Sequence, residues 1–208
     1  MMLKSVTGGW VNCKLANGTV IPIFEFCHVK CHKTATGRDH FTFQEGPYAK
    51  KEASIPAGYL IDKKHDAAAL VSFYMGSKVF SWKGGPAVKT INNGSVTGGL
   101  PVFTRDTDKV PVGIWDIETP DFPHDLGKGY KEFASHALSW FRIASPGSPN
   151  RFIHVGTISE GCATVGIAAD RASAAGKEAL RNYEKVYAYL INRRKSPGIV
   201  GQLQVFPY

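Results

Sequence analysis

The sequence lacks the features that mark several large classes of protein. Its 208 residues contain no uninterrupted apolar run of about 18 residues, which a membrane-spanning helix needs, and no apolar run of signal-peptide length near the start. Four cysteines are too few for a disulfide scaffold. Internal repeats, low-complexity tracts and long linkers are also absent. We therefore expect one domain over residues 1–208, without a membrane span and synthesised in the cytoplasm.

Acidic residues are fewer than basic ones. Lys and Arg total 25 against 17 Asp and Glu, which gives a formal net charge of +8. Such an excess favours an anionic partner: nucleic acid, an anionic membrane surface or the acidic bacterial cell wall. No strand-like segment alternates basic and aromatic residues, as a platform for stacking nucleic acid bases does. This argues against nucleic acid and leaves the other two open.

Short β-favouring runs separated by turn sequences dominate the first two-thirds of the chain. The clearest runs are Thr19–Phe26, Leu70–Tyr74 and Val112–Ile117, and typical turns are Asn17-Gly18 and Asn93-Gly94. Many short strands with a turn every ten or so residues favour a sandwich or a barrel. The pattern predicts a mainly β (α+β) fold.

The pattern changes after Cys162. Apolar residues recur there at helical spacings of three and four: Leu180, Tyr183, Tyr187, Leu190 and Ile191. This predicts one long C-terminal helix over about 170–194. Asp170 or Ser173 would cap its start, and the turn sequence at 195–198 would end it. The tail from Ile199 to Phe206 would then return as a strand.

The segment from Ile153 to Gly166 carries the most informative chemistry. His154 is followed by Gly156-Thr157 and then by Ser159-x-Gly161-Cys162. A cysteine nucleophile reacts as its thiolate, and a nearby imidazole can accept the thiol proton. A glycine before the cysteine permits a tight turn and lets main-chain N–H groups face a developing oxyanion. By residue type alone, a Cys and a His close in sequence more often serve packing than catalysis.

The order and spacing of these residues resemble the active-site signature of the L,D-transpeptidase (YkuD-like) catalytic domain. Typical members have a longer insert, a histidine where Glu160 stands and an arginine where Thr164 stands. The separation of eight positions between His154 and Cys162 is similar to compact versions found in interbacterial effectors that attack the cell wall. Weaker upstream likenesses extend the resemblance over about residues 54–165: Ser54–Ile61, Asp116–His124 and Trp140–Ile143.

The resemblance implies a role for each matching residue. Cys162 would be the nucleophile and His154 its base, oriented by a main-chain carbonyl. Ser159 and Gly161 would shape the turn, with N–H groups of Gly161 and Cys162 forming the oxyanion hole. Because the family's arginine is missing, Arg142 or Arg151 would hold the substrate carboxylate. Independently of the resemblance, Pro and Gly bracket His124 and Tyr130 in the segment Asp121–Tyr130, which indicates an exposed connection of the kind that carries substrate-binding residues. For His124, a hydrogen bond within its own turn is the competing interpretation, as is a role in proton transfer.

The resemblance also implies an activity. Cys162 would attack the carbonyl at the L-centre of meso-diaminopimelate in a peptidoglycan tetrapeptide stem and release D-alanine. Water as acceptor would make the protein an L,D-carboxypeptidase, a stem amine would make it a transpeptidase, and a free D-amino acid would give exchange. No metal or cofactor is implied. The compact spacing suggests an antibacterial type VI secretion effector that acts in the periplasm of a target cell and has a cognate immunity protein.

Three expectations about the site can be checked against a structure. The sulfur of Cys162 and the imidazole of His154 are expected within roughly 3–4 Å of each other. Cys162 is expected at a partly exposed position. A thiolate beside an imidazolium would make it the most readily alkylated of the four cysteines.

Other interpretations remain open. Cys27, His28, Cys31 and His32 could ligate zinc, but no second ligand pair follows at finger spacing, and buried cysteines beside solvated histidines are the simpler interpretation. The protein could instead be a cysteine amidase or endopeptidase that cuts within the stem. It could also be a non-enzymatic basic β domain that binds nucleic acid or a cell-wall polymer.

Overall fold

The computed structural model describes residues 1–4, 8–92, 95–105, 108–166 and 171–207. Strands make up most of the regular structure, as the sequence predicted. In chain order they are β1 Met2–Leu3, β2 Trp10–Leu15, β3 Val20–Phe24, β4 Val29–Ala35, β5 Arg38–Phe43, β6 Glu52–Pro56, β7 Leu60–Ile61, β8 Ala69–Tyr74, β9 Val79–Trp82, β10 Val88–Asn92, β11 Ser95–Gly98, β12 Leu100–Phe103, β13 Gly113–Glu118, β14 Phe141–Arg142, β15 Phe152–Val155, β16 Ala163–Val165 and β17 Ile199–Phe206. The helices are α1 Ala174–Arg181, α2 Tyr183–Ile191 and a 3₁₀ helix over Asp125–Tyr130.

The larger sheet is barrel-like and nearly closed. Its strand order is β13-β17-β8-β9-β12-β16-β15-β14. The two ends approach each other, since Ile117 bridges Ile143 and the N–H of Ala144 donates to the carbonyl of Asp116 at 2.9 Å. Such closure satisfies most of the hydrogen-bonding groups that an edge strand exposes. The predicted barrel-like β architecture is confirmed at this level.

A second sheet of five strands is formed by the N-terminal region, in the order β3-β2-β6-β5-β4. Its strands alternate between the two faces. In β5, for example, Phe41 and Phe43 are buried whereas His40 and Thr42 are half-buried. This period of two directs one face towards the core and leaves the other towards solvent. One continuous hydrophobic cluster contains buried residues of both sheets, from Leu3 to Val205.

The C-terminal region follows the sequence pattern closely. Ser173 caps α1 by accepting a 2.9 Å hydrogen bond from the N–H of Gly176, and α1 and α2 meet at Asn182. The helical periodicity is explained by burial, because Leu180, Tyr183, Tyr187, Leu190 and Ile191 are all buried. Strand β17 returns as predicted, parallel to β8 and antiparallel to β13.

Two predictions fall outside the described residues: the Asn93-Gly94 turn and the alternative helix cap Asp170. Within the described ranges, no helix is long and apolar enough to cross a membrane.

Candidate active site

The motif lies on two neighbouring parallel strands with an unusually short connection. Ile153 pairs with Ala163 and His154 pairs with Thr164. Parallel neighbours usually need a crossover of a dozen or more residues, whereas only residues 156–162 join β15 to β16. The connection must therefore fold back beside the strands that it joins. Every second residue of it faces one cavity: Gly156, Ile158, Glu160 and Cys162.

This cavity has a volume of about 490 Å³, within the range of roughly 300–1,000 Å³ that is common for small-molecule sites. The rest of its lining is aromatic, aliphatic or neutral polar: Leu126, Tyr130, Trp140, Ser148, Asn150, Phe152, His154 and Val155. Three of the candidate residues line this cavity: Cys162, His154 and Tyr130. Glu160 is the one carboxylate among the described lining residues.

Cys162 is buried, with 6 % of its surface exposed, so the expected partly exposed position is wrong. Its thiol is directed towards the main-chain carbonyl of Asn150, with Sγ 3.7 Å from the oxygen. Burial raises the pKa of the thiol, and the nearby Glu160 carboxylate acts in the same direction. The resting group is therefore a neutral thiol near pH 7, which corrects the expectation of a preformed thiolate.

His154 is equally buried and has both ring nitrogens engaged. Nδ1 lies 2.9 Å from the carbonyl oxygen of Val155, and Nε2 lies 3.0 Å from Oγ1 of Thr164. A carbonyl can only accept, so Nδ1 carries the proton and Nε2 presents its lone pair. Burial lowers the pKa of the imidazole to about 4. The ring is thus a neutral proton acceptor, held by a main-chain carbonyl.

The thiol of Cys162 and the imidazole of His154 take different hydrogen-bond partners. Among the described residues no hydrogen bond joins Cys162 to His154: the thiol points to Asn150 and Nε2 is occupied by Thr164. The strand register explains this, because it places Thr164 opposite His154. Cys162 lies directly before β16 and lines the same cavity as His154.

A stack of aromatic rings packs against the imidazole of His154. The ring of His154 lies 4.4 Å from Trp140 between centroids, Trp140 lies 4.4 Å from His124, and His124 lies 4.4 Å from Phe122. His124 also places Nε2 3.0 Å from Asp121 Oδ1. His124 is absent from the cavity lining, so the hydrogen bond within its own turn is what the structure shows. Sequence reasoning did not assign Trp140 to the site, because nothing local distinguishes it from a core tryptophan.

Tyr130 fixes the start of the connection. Its hydroxyl lies 3.0 Å from Oγ1 of Thr157 and accepts a 3.2 Å hydrogen bond from the N–H of the same residue. Leu126 and Ile158 flank the cavity and are 79 % and 71 % exposed. The mouth of the cavity therefore has an apolar rim.

The two predicted substrate arginines are engaged elsewhere, which corrects that expectation. Arg142 forms a two-pronged ion pair with Glu118 at 2.7 and 2.5 Å. Arg151 is buried and binds Asp108 at 2.5 Å and the carbonyl of Pro146 at 2.7 Å. Neither lines the cavity. These pairings join residues distant in sequence, so no local pattern indicated them.

The turn before the cysteine depends on Gly161. Its φ of +84° lies in the left-handed region, and a Cβ there would approach Asp108 Oδ2 to 2.6 Å. The hydroxyl of Ser159 donates to the main-chain carbonyl of Cys162 at 2.9 Å. These two residues thus shape the turn that presents Cys162.

The Cys27–His32 segment is spread over different environments. Cys27 is buried, Cys31 is half-buried, and all four cysteines of the chain are free. His32 binds Thr42 at 2.6 Å between Nε2 and Oγ1. Across the described part of the chain, no three His, Cys, Asp or Glu side chains are grouped as metal ligands.

Comparison with protein-family models, with curated proteins and with solved structures found no match to this chain.

Proposed function

We propose that this protein is a cysteine acyl-transfer enzyme of the L,D-transpeptidase type, acting on peptidoglycan stem peptides. The observation that carries the proposal is that a buried cysteine directly before β16 and a neutral histidine on β15 line the wall of one cavity. The left-handed φ of +84° at Gly161 supports the proposal, because a glycine there permits a tight turn that can direct main-chain N–H groups to a developing oxyanion.

The chemistry begins with the thiol proton. When a stem peptide enters, Nε2 of His154 exchanges its hydrogen bond from Thr164 to the thiol of Cys162 and takes the proton. Catalytic hydrogen bonds often tighten only when substrate is bound. The thiolate then adds to the carbonyl at the L-centre of meso-diaminopimelate, while N–H groups of Gly161 and Cys162 receive the oxyanion.

Collapse of this intermediate completes the transfer. The C–N bond to D-alanine breaks, and the imidazolium returns its proton to the leaving amine. A thioester to Cys162 remains, and water, a stem amine or a free D-amino acid resolves it. Water gives the L,D-carboxypeptidase, the amine gives the L,D-transpeptidase and the free D-amino acid gives exchange. Every step uses groups of the chain and of the substrate, so the proposed reaction requires no cofactor.

One experiment tests this reaction directly. Purified sacculi are digested with wild-type protein and with Cys162→Ala, and the muropeptides are identified by mass spectrometry. The proposal expects tetrapeptide stems to lose D-alanine, or to exchange or cross-link, with wild-type protein only. Unchanged tetrapeptides after wild-type digestion would refute it.

A second candidate reaction is favoured by the cavity lining. No Lys or Arg is among the described lining residues, so no cation faces the terminal carboxylate of a tetrapeptide. An amidase or endopeptidase that cuts within the stem does not need that contact. The same mass spectra separate the two, because internal cleavage shortens the stem by more than one residue.

The compact connection of residues 156–162 supports a biological role as an interbacterial effector, delivered by a type VI secretion system and neutralised in the producer by an immunity protein. The test is to export the chain to the periplasm of a Gram-negative host. Wild-type protein should stop growth and Cys162→Ala should not. Growth unaffected by the wild-type protein would contradict this role without touching the enzymatic proposal.

A further inference from the structure

A second cavity lies on the solvent face of the five-stranded sheet, among residues that the proposed reaction does not use. Its volume is about 550 Å³. Strands β2, β4, β5 and β6 supply most of its lining, which combines basic, neutral polar and apolar residues with one carboxylate: Lys14, Leu15, Ala16, His32, Lys33, Arg38, His40, Phe41, Glu52, Ala53 and Ser54. We call it the basic groove.

The strand register aligns four of these residues in one row. Lys14 pairs with Ser54, Ser54 with His40, and His40 with Lys33. Neighbouring strands are about 4.8 Å apart, so the row spans roughly 15 Å from Lys14 to Lys33. Cys13 precedes Lys14 and is buried, so the row faces away from the core.

The positive charge of the groove is largely uncompensated. Lys14 and Lys33 are exposed and form no ion pair among the described residues. Arg38 directs Nε and Nη2 to the hydroxyl and the carbonyl of Ser54, both at 3.0 Å, rather than to a carboxylate. Three cationic side chains therefore face one carboxylate, that of Glu52.

This arrangement selects a ligand class. Charges spread over about 15 Å match a ligand with several anionic groups better than a single anion. Arg38 uses Nε and Nη2 on Ser54, which leaves Lys14 and Lys33 as the cations of the groove without a polar partner among the described residues, and lysines bind phosphate as point charges. Ser54 and His40 add groups that hydrogen-bond hydroxyls.

We propose that the basic groove binds an anionic polymer of sugar or polyol phosphates. The described lining contains no exposed Phe, Tyr or Trp for stacking nucleic acid bases, since Phe41 is 1 % exposed. It also contains none of the exposed large apolar residues that would anchor a membrane surface. The inference rests on the sheet alone and stands whether or not Cys162 is catalytic.

The experiment measures binding of poly(glycerol phosphate) to the full chain by titration calorimetry at several salt concentrations. The test variant is Lys14→Gln/Lys33→Gln. The matched control is Lys64→Gln/Lys177→Gln, which removes two exposed lysines outside the groove. All four side chains are exposed, so folding should be preserved, and thermal unfolding checks this.

The proposal expects the groove variant to lose at least tenfold in affinity at low salt, and the control less than twofold. In a plot of log affinity against log salt concentration, the slope should be shallower by about 1.4 for the groove variant. Each lysine that neutralises a phosphate of a single strand contributes about 0.7 to that slope, and the variant lacks two. Equal losses in both variants, or no binding by wild-type protein, would show that the basic groove is not the binding site. Tighter binding to oligo-dT or to phosphatidylglycerol vesicles would overturn the ligand class.

Discussion

Two of the places where the fold buries ionisable groups differ in how the charge is compensated. Glu45 and Arg194 form a charged pair at 2.7 Å, with side chains 1 % and 6 % exposed. Glu45 also accepts hydrogen bonds from the N–H groups of His28 and Gly198 at 2.8 and 3.1 Å. Burial alone would raise the pKa of this carboxyl, but these partners outweigh it and hold the pKa below its usual value.

The candidate active site has no such compensation. Burial lowers the pKa of His154 and raises that of Cys162, so both groups rest uncharged. Neither forms an ion pair among the described residues, and both face a cavity. A buried carboxylate that is surrounded by hydrogen-bond donors, such as Glu45, stays ionised and contributes to stability. Neutral groups beside an opening can exchange a proton when a substrate arrives, which is the property that the proposed reaction needs.

The sharpest test of this difference is Cys162→Ala. Removal of the nucleophile should lower stem processing by at least about a thousandfold, because no other group can form the thioester. The free energy of unfolding should change far less than activity, since one small side chain at a cavity wall is lost. Muropeptide yield and urea unfolding measure the two effects. Cys31→Ala is the matched control and should process stems at the wild-type rate. Substantial activity in Cys162→Ala would show that Cys162 is not the nucleophile.

Arg194→Met should have the opposite effects, a large loss of stability with little change in activity. It leaves the Glu45 carboxylate buried without its cation, a change that typically costs about 3–5 kcal/mol. Urea unfolding should show this loss, and the remaining folded protein should process stems normally. The exposed pair of Lys128 and Asp125, at 2.7 Å, provides the control, since Lys128→Met should cost less than about 1 kcal/mol. Similar losses for both variants would mean that Glu45 is not sealed as described.

His154 predicts a particular dependence of stability on pH. Its folded pKa of about 4 lies below the usual 6.5, so the unfolded chain binds the proton more readily. The contribution is fully present above pH 6.5 and is lost as pH falls towards 4, by about 3 kcal/mol in total. Urea unfolding of wild-type protein and of His154→Asn across this pH range measures the contribution of His154, as the difference between the two stability curves. Parallel curves for the two proteins would show that His154 is not buried as a neutral base.

The sequence predicted the parts of the structure that depend on local patterns. Turn residues and short apolar runs gave the β architecture, and the spacing of Leu180, Tyr183 and Tyr187 gave the helix. Cys162 and His154 line one cavity because the connection between β15 and β16 is too short to separate them.

The remaining features of the site depend on strand register and on distant contacts. The register puts Thr164, not Cys162, opposite His154. Arg142 is paired with Glu118 and Arg151 with Asp108, across 24 and 43 positions of sequence. Trp140 joins the site by stacking on rings from other segments. Such partners are set by tertiary packing, so inspection of the motif alone did not give them.

The smallest expected effect concerns thiol reactivity. Cys31 is half-buried whereas burial raises the pKa of Cys13, Cys27 and Cys162, so iodoacetamide should label Cys31 first. Because the Glu160 carboxylate also raises the pKa of the Cys162 thiol, Glu160→Gln should increase the labelling rate of Cys162 a few-fold at pH 7.5. Mass spectrometry of tryptic peptides over time measures each site separately. Labelling of Cys31 serves as the internal control and should be unchanged by the substitution. If Cys162 were labelled first in the wild-type protein, the thiol would be ionised at rest, and the contrast between a charged structural pair and an uncharged reactive pair would fail.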